Sequence, residues 1–170
     1  MGVSNWTPPR ILALTHALAE RGPHRLTVTS PLWSLARRTR HATDPELIEA
    51  DQHHLELARQ QRLMVMPFRT SALGFFTPAF TTGRLRHHDY VSRAYGTDDN
   101  IARRRRAARP GDALGATAHQ VALGFLRAFD VPVLPVIGAT RPAHVHEAAH
   151  ACALDLTDEQ RRYLTGGAPQ

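Results

Sequence analysis

The chain has 170 residues, a formal charge of +6, 42% hydrophobic residues and 21% charged ones, a size and composition that suit one ordinary globular domain. No run of about 18 apolar residues is present to form a membrane helix, and no basic segment precedes an apolar one at the N-terminus, so neither a membrane span nor a secretory signal is expected and the cytoplasm is the default location. All 21 basic side chains are Arg and Cys152 is the single cysteine, which removes a Schiff-base or phosphate-binding lysine, an internal disulfide and a thiolate-rich zinc site.

Much of the positive charge comes from Arg103, Arg104, Arg105, Arg106 and Arg109. Such a run reads as a solvated helix face, and with no nucleic-acid motif beside it a nucleic-acid partner is not expected. Trp6 stands where a myristoylation signal needs Ser or Thr, so a lipid anchor of that kind is not expected either.

In chain order, residues 1–6 read as the end of a buried strand running into a loop. Thr7 is placed to cap a helix with Pro8 at its first position, and Ile11, Leu14 and Leu18 recur at helical spacing until Gly22-Pro23 stops them. Residues 26–30 form a short apolar strand, Asp44-Pro45 opens a second helix to about Gln61, and residues 63–67 form the next strand. Helix and strand thus alternate as in a parallel α/β protein.

Residues 68–86 carry Gly74, Pro78 and Gly83 among aromatics without a sustained period and read as a long loop, a length often associated with function. Residues 87–95 and 99–108 are predicted helical, with Pro110-Gly111 as a break. Thr117 and Gln120 have capping-box spacing ahead of an apolar face of Val121, Ala122, Phe125, Leu126 and Phe129. Residues 131–137 are predicted as a strand although Pro132 and Pro135 each remove a ladder donor. Thr140 is expected to cap a helix with Pro142 in its first turn, and Thr157-Asp158-Glu159-Gln160 opens a last short helix ending near Leu164. No internal repeat is visible, so the chain reads as one unit over 1–165 with a short tail over 166–170.

Several segments, in order, resemble the second half of the aldo-keto reductases. They are Gly2-Val3-Ser4-Asn5-Trp6, Pro31-Leu32-Trp33-Ser34-Leu35-Ala36-Arg37, Arg62-Leu63-Met64-Val65-Met66-Pro67-Phe68, Ala72-Leu73-Gly74-Phe75-Phe76-Thr77, Tyr95-Gly96-Thr97-Asp98-Asp99-Asn100, Gly115-Ala116-Thr117-Ala118-His119-Gln120-Val121-Ala122-Leu123, Val133 to Thr140, and Leu154-Asp155-Leu156-Thr157. The resemblance implies an α/β fold, the C-terminal half of a (β/α)8 TIM barrel with parallel strands and outer helices. It also implies NAD(P)H-dependent reduction of aldehydes or ketones, with NADP(H) or NAD(H) as cofactor. Gly2-Val3-Ser4-Asn5-Trp6 resembles the loop after the fifth of eight strands, so about half a barrel would lie upstream, and at 170 residues the chain is short of the roughly 250 of a complete one.

By that resemblance Ser4 and Asn5 would hold the nicotinamide carboxamide, Ser30 would stand where a Gln usually meets the ring, and Phe68 would stack on it. Arg69, Thr70, Ser71 and Gly74 would lie by the pyrophosphate. Gly138, Ala139, Thr140, Arg141 and Glu147 would lie at the adenosine end, where the family's usual Lys-Ser, Arg and Asn are missing, weakening that end of the site. The family's catalytic Asp, Tyr, Lys and His belong to the other half and map onto nothing here, so the isolated chain is expected to be inactive.

Two readings follow from the resemblance. One is a reductase whose first half lies outside this sequence; the other is a non-catalytic half-barrel that binds a partner, either a second copy or a separately encoded first half. A metal reading of His144, His146 and His150, with Glu147 or Cys152, is weaker because the resemblance puts them on an outer helix.

Overall fold

The structure, a computed structural model, describes residues 1–39 and 44–166. Three short strands, β1 (Gly2–Ser4), β2 (Val28–Ser30) and β3 (Met64–Val65), form a parallel sheet in the order β1-β2-β3. The register pairs Val3 with Thr29 and Thr29 with Val65. Helix α1 (Pro8–Glu20) joins the first two strands and α2 (Gln52–Gln60) the next two, which is the crossover that parallel neighbours require.

Residues 131–137 run beside β3 without becoming a regular strand. Val133 makes a single parallel bridge to Val65, Val65 N–H donates to Pro132, and Leu134 and Val136 donate to Val65 and Pro67. Pro132 has no N–H to give β3 and Pro135 has none to offer on the other side, so the segment keeps strand-like alternation of burial but only part of the hydrogen bonding. The first six residues are likewise less enclosed than expected: β1 is an edge strand whose Gly2 and Ser4 are exposed.

The helices after β3 are α3 (Pro78–Thr81), α4 (His88–Tyr95), α5 (Asp98–Leu114), α6 (Ala118–Gly124), α7 (Pro142–Cys152) and α8 (Asp158–Thr165). The expected long loop therefore contains α3 and a 3-10 turn at Ala72–Gly74. Helix α2 begins after Asp51, not at Asp44-Pro45. Asp51 accepts a bond from the His54 amide, while the stretch before it is drawn out along Leu32, which exchanges bonds with Ile48 and Ala50. Helix α5 continues through Pro110 to a left-handed Gly115 cap, because Pro110 and Gly111 are buried in the fold and a Cβ on Gly111 would come within 2.4 Å of the Ala116 carbonyl. Packing outweighs the one hydrogen bond that proline removes.

Both capping boxes, Thr117 with Gln120 and Thr157 with Gln160, form as expected. Helix α7 is capped by Arg141 and not by Thr140. One face of the sheet is closed by the helices, with Thr29 and Val65 at 1% and 0% exposure, joined in the core by Ile11, Leu35, Leu63, Phe75 and Leu126. The opposite face carries Ser4, Met64, Leu134 and Val136 and is open.

Candidate functional site

The C-terminal ends of parallel strands gather side chains from several segments, because every strand finishes on the same side. There Ser4 donates its hydroxyl proton to the Ser30 carbonyl at 3.1 Å, and Asn5 N–H donates to the same oxygen at 3.0 Å. Phe68 N–H donates to Pro31 at 3.0 Å, so the Phe68 backbone is fixed beside the end of β2. Ser4, Asn5, Ser30 and Phe68 are thus brought to one edge by three neighbouring strands.

Asn5 sits in the left-handed region at φ 60°. Its side-chain oxygen accepts from Ile48 N–H at 2.7 Å and its amide donates to the Glu46 carbonyl at 3.2 Å. One N–H and one lone pair of the carboxamide remain available.

After β3, Arg69 is also left-handed, at φ 53°. Its guanidinium donates to the Tyr90 hydroxyl at 3.0 Å and to Asp44 at 3.1 Å, and Tyr90 donates its own proton to the same Asp44 oxygen. The Tyr90 hydroxyl first, and Arg69 second, hold the Asp44 carboxyl below its ordinary value. Sequence reasoning missed Asp44 and Tyr90, which lie 25 and 21 positions from Arg69 and carry no local motif.

Thr70 is buried and donates to the Val136 carbonyl at 2.8 Å, tying this loop to residues 131–137. Ser71 is half-buried and caps the 3-10 turn without a side-chain bond. Gly74 has φ +87°, and a Cβ there would stand 2.9 Å from Leu85, so the space above it is filled by this chain's own side chain. Gly138, Ala139, Thr140, Arg141 and Glu147 are exposed. Arg141 donates to His144 Nε2 at 3.2 and 2.9 Å.

The histidines do not form a metal centre: among the described residues no group of three or more His, Cys, Asp or Glu side chains could hold an ion. His150 instead meets the buried Gln120 amide at 3.0 Å. A cavity of about 850 Å³ lies elsewhere, between Trp33, Arg38, Asp51, Arg59, Phe129 and Arg161, and none of Ser4, Asn5, Ser30 or Phe68 lines it. No described helix is long and apolar enough to cross a membrane.

Parallel strands, crossover helices on one face and polar groups at the strand ends define an α/β half-barrel. A solved structure of a thermostable aldo-keto reductase, Tm1743, in complex with the inhibitor epalrestat matches it with a TM-score of 0.58 at 19% identity. The match covers 96% of this chain and 46% of that one, so the chain spans about half the solved protein's length. The likeness establishes the fold, that of part of a TIM-barrel-like aldo-keto reductase. No family model matches the chain, and no curated protein is significantly similar in sequence.

Proposed function

We propose that the chain is the C-terminal, cofactor-side half of an aldo-keto reductase barrel, holding the nicotinamide end of NADP(H) or NAD(H). The observation that carries this reading is the convergence of Ser4, Asn5, Ser30 and Phe68 at the ends of adjacent parallel strands. Ser4 and the remaining capacity of Asn5 suit a planar carboxamide, which needs one donor and one acceptor, and Phe68 offers a flat apolar wall. When bound, the reduced nicotinamide supplies a hydride to an aldehyde or ketone.

The carbonyl oxygen also needs a proton, and this chain's phenols are poorly placed to give one. Tyr90 is committed to Asp44, Tyr163 accepts from Arg109 on the exposed side of α8, and the Tyr95 hydroxyl is buried, its pKa pushed up to about 12 by that burial. With no lysine in the sequence to lower a phenol's pKa, the acid has to come from another half-barrel. A second reading, a non-catalytic half-barrel that works through a partner, is favoured by the exposure of Leu134 and Val136 on the open face.

The test is calorimetric titration of NADPH and NADH into the chain and into Phe68→Ala, beside an assay of NADPH oxidation with simple aldehydes and ketones. Weak binding that Phe68→Ala reduces further, and no turnover, are expected. Absence of binding would overturn the cofactor reading, and turnover would overturn the missing-acid reading.

A further inference from the structure

The open face of the sheet follows from the period of two along its strands. Register and burial put Gly2, Ser4, Val28, Ser30, Met64 and Met66 on it, and the alternation of residues 131–137 adds Leu134 and Val136, with Leu134 52% and Val136 43% exposed. None of these eight residues is charged, although the chain carries +6 overall. Two copies can therefore approach face to face without bringing like charges together there.

The edges are complementary as well. Asn5 N–H and the Met1 carbonyl turn toward β2, so by alternation the N–H and C=O groups of Gly2 and Ser4 point off the sheet. On the far side Pro132, Leu134 and Val136 turn toward β3, so Val133 and Ile137 point off that edge. Each edge exposes unpaired N–H and C=O groups, with Pro135 supplying no donor on the far one, and exposed edges of this kind pair readily.

Surface area gives the scale. The chain exposes 9900 Å², whereas a compact monomer of 18.9 kDa exposes about 8,300 Å². The excess of about 1,600 Å², counted over the whole surface of the chain, exceeds the roughly 800 Å² that a stable dimer covers on each partner. The solved barrel is about twice as long as the matching segment, so two units of this size make up one closed barrel.

We propose that two copies of this chain pack open face to open face around a two-fold axis, the β1 edge of each pairing with residues 131–137 of the other, to close an eight-stranded parallel barrel. The arrangement is closed and symmetric, and it buries Leu134 and Val136 of both copies. It is a property of the sheet whether or not a dinucleotide binds, and it occupies the same face that a catalytic half-barrel would cover.

The test is sedimentation velocity of the purified chain at tens of micromolar, with Leu134→Asp, Val136→Asp and, as a control off the face, Val145→Asp. Val145 is also 52% exposed, on α7. The wild type and the control should run at twice 18.9 kDa, and either face variant should weaken association by about tenfold or more while keeping its circular dichroism. Hydrogen exchange adds a readout that needs no variant: the amides of Ser4, Val133 and Ile137 should be protected in the dimer and exchange freely on dilution. A monomeric wild type, a dimer indifferent to both face variants, edge amides equally free at high and low concentration, or a one-to-one complex with a different polypeptide on this face would overturn the proposal.

Discussion

Thr29 on β2 and His54 on α2 share a hydrogen bond of 3.0 Å between Oγ1 and Nε2, and both side chains are 1% exposed. The other ring nitrogen, Nδ1, is buried without a partner. This contact fixes the outer face of the sheet against the first crossover helix after it. Replacing Thr29→Val keeps the shape but strips the His54 ring of its bond, so unfolding in urea should show a loss of about 1–3 kcal/mol. Thr29→Ser, which retains a hydroxyl, should lose less. Equal stability of wild type and Thr29→Val would mean the pair contributes nothing net.

The same histidine makes stability depend on pH. Burial pushes the His54 imidazole below its ordinary 6.5, against the opposing pull of Asp51. His119 is lowered in the same way, by burial first, with Glu147 opposing and His144 assisting. A group lowered in the folded state binds fewer protons there than when unfolded, so stability rises with pH across the window. It should therefore fall as the pH drops below about 6.5 and level off below the folded-state values. Urea midpoints at pH 7.5 and 5.5 read this directly, and His54→Gln should flatten part of the slope. A midpoint that stays constant would contradict a buried, neutral His54 and a lowered His119.

Asn100 is fully buried near the start of α5 and accepts from Arg37 N–H at 2.9 Å while donating to the carbonyls of Arg37 and Tyr95 at 2.7 and 2.9 Å. It ties the loop after β2 to the end of α4. Asn100→Ala leaves three backbone groups without this partner, the Tyr95 carbonyl among them buried, and should cost about 2–3 kcal/mol, measured by chemical denaturation. A loss below about 1 kcal/mol would show that water takes over those bonds.

In the proposed cofactor reading Arg141 is the cation for a 2′-phosphate; it is exposed at the start of α7 and donates to His144. A charge-assisted contact is worth about 1.5–3 kcal/mol, so Arg141→Ala should weaken NADPH binding about tenfold or more and leave NADH binding nearly unchanged. Calorimetry on both cofactors separates the cases. Tight NADPH binding unaffected by the substitution would place the phosphate contact elsewhere.

Local chemistry made much of the fold legible in the sequence. Both capping boxes form where Thr and Gln stand three apart, and α1 begins at Pro8, because caps and proline act within one helical turn. The strand segments at 26–30 and 63–67 were readable from their apolar runs, and the ordered motifs carried the family resemblance. The helix expected at Asp44-Pro45 failed because Asp44 is left-handed and the stretch after it pairs with Leu32, a partner that no local signal announces. Pro110 looked like a break for the opposite reason: its local preference was clear, and burial overrode it.

The candidate site divides along the same line. Sequence by itself determined which residue types are present, above all the complete absence of lysine and the Ser4-Asn5 pair, since composition and short motifs need no fold to be read. Only the tertiary structure decided that Asn5 is partly engaged by Glu46 and Ile48, that Arg69 is held by Asp44 and Tyr90, and that Leu134 and Val136 stand on an open face. Those contacts join residues up to 43 positions apart, and their strength depends on geometry and desolvation that a linear sequence does not encode position by position.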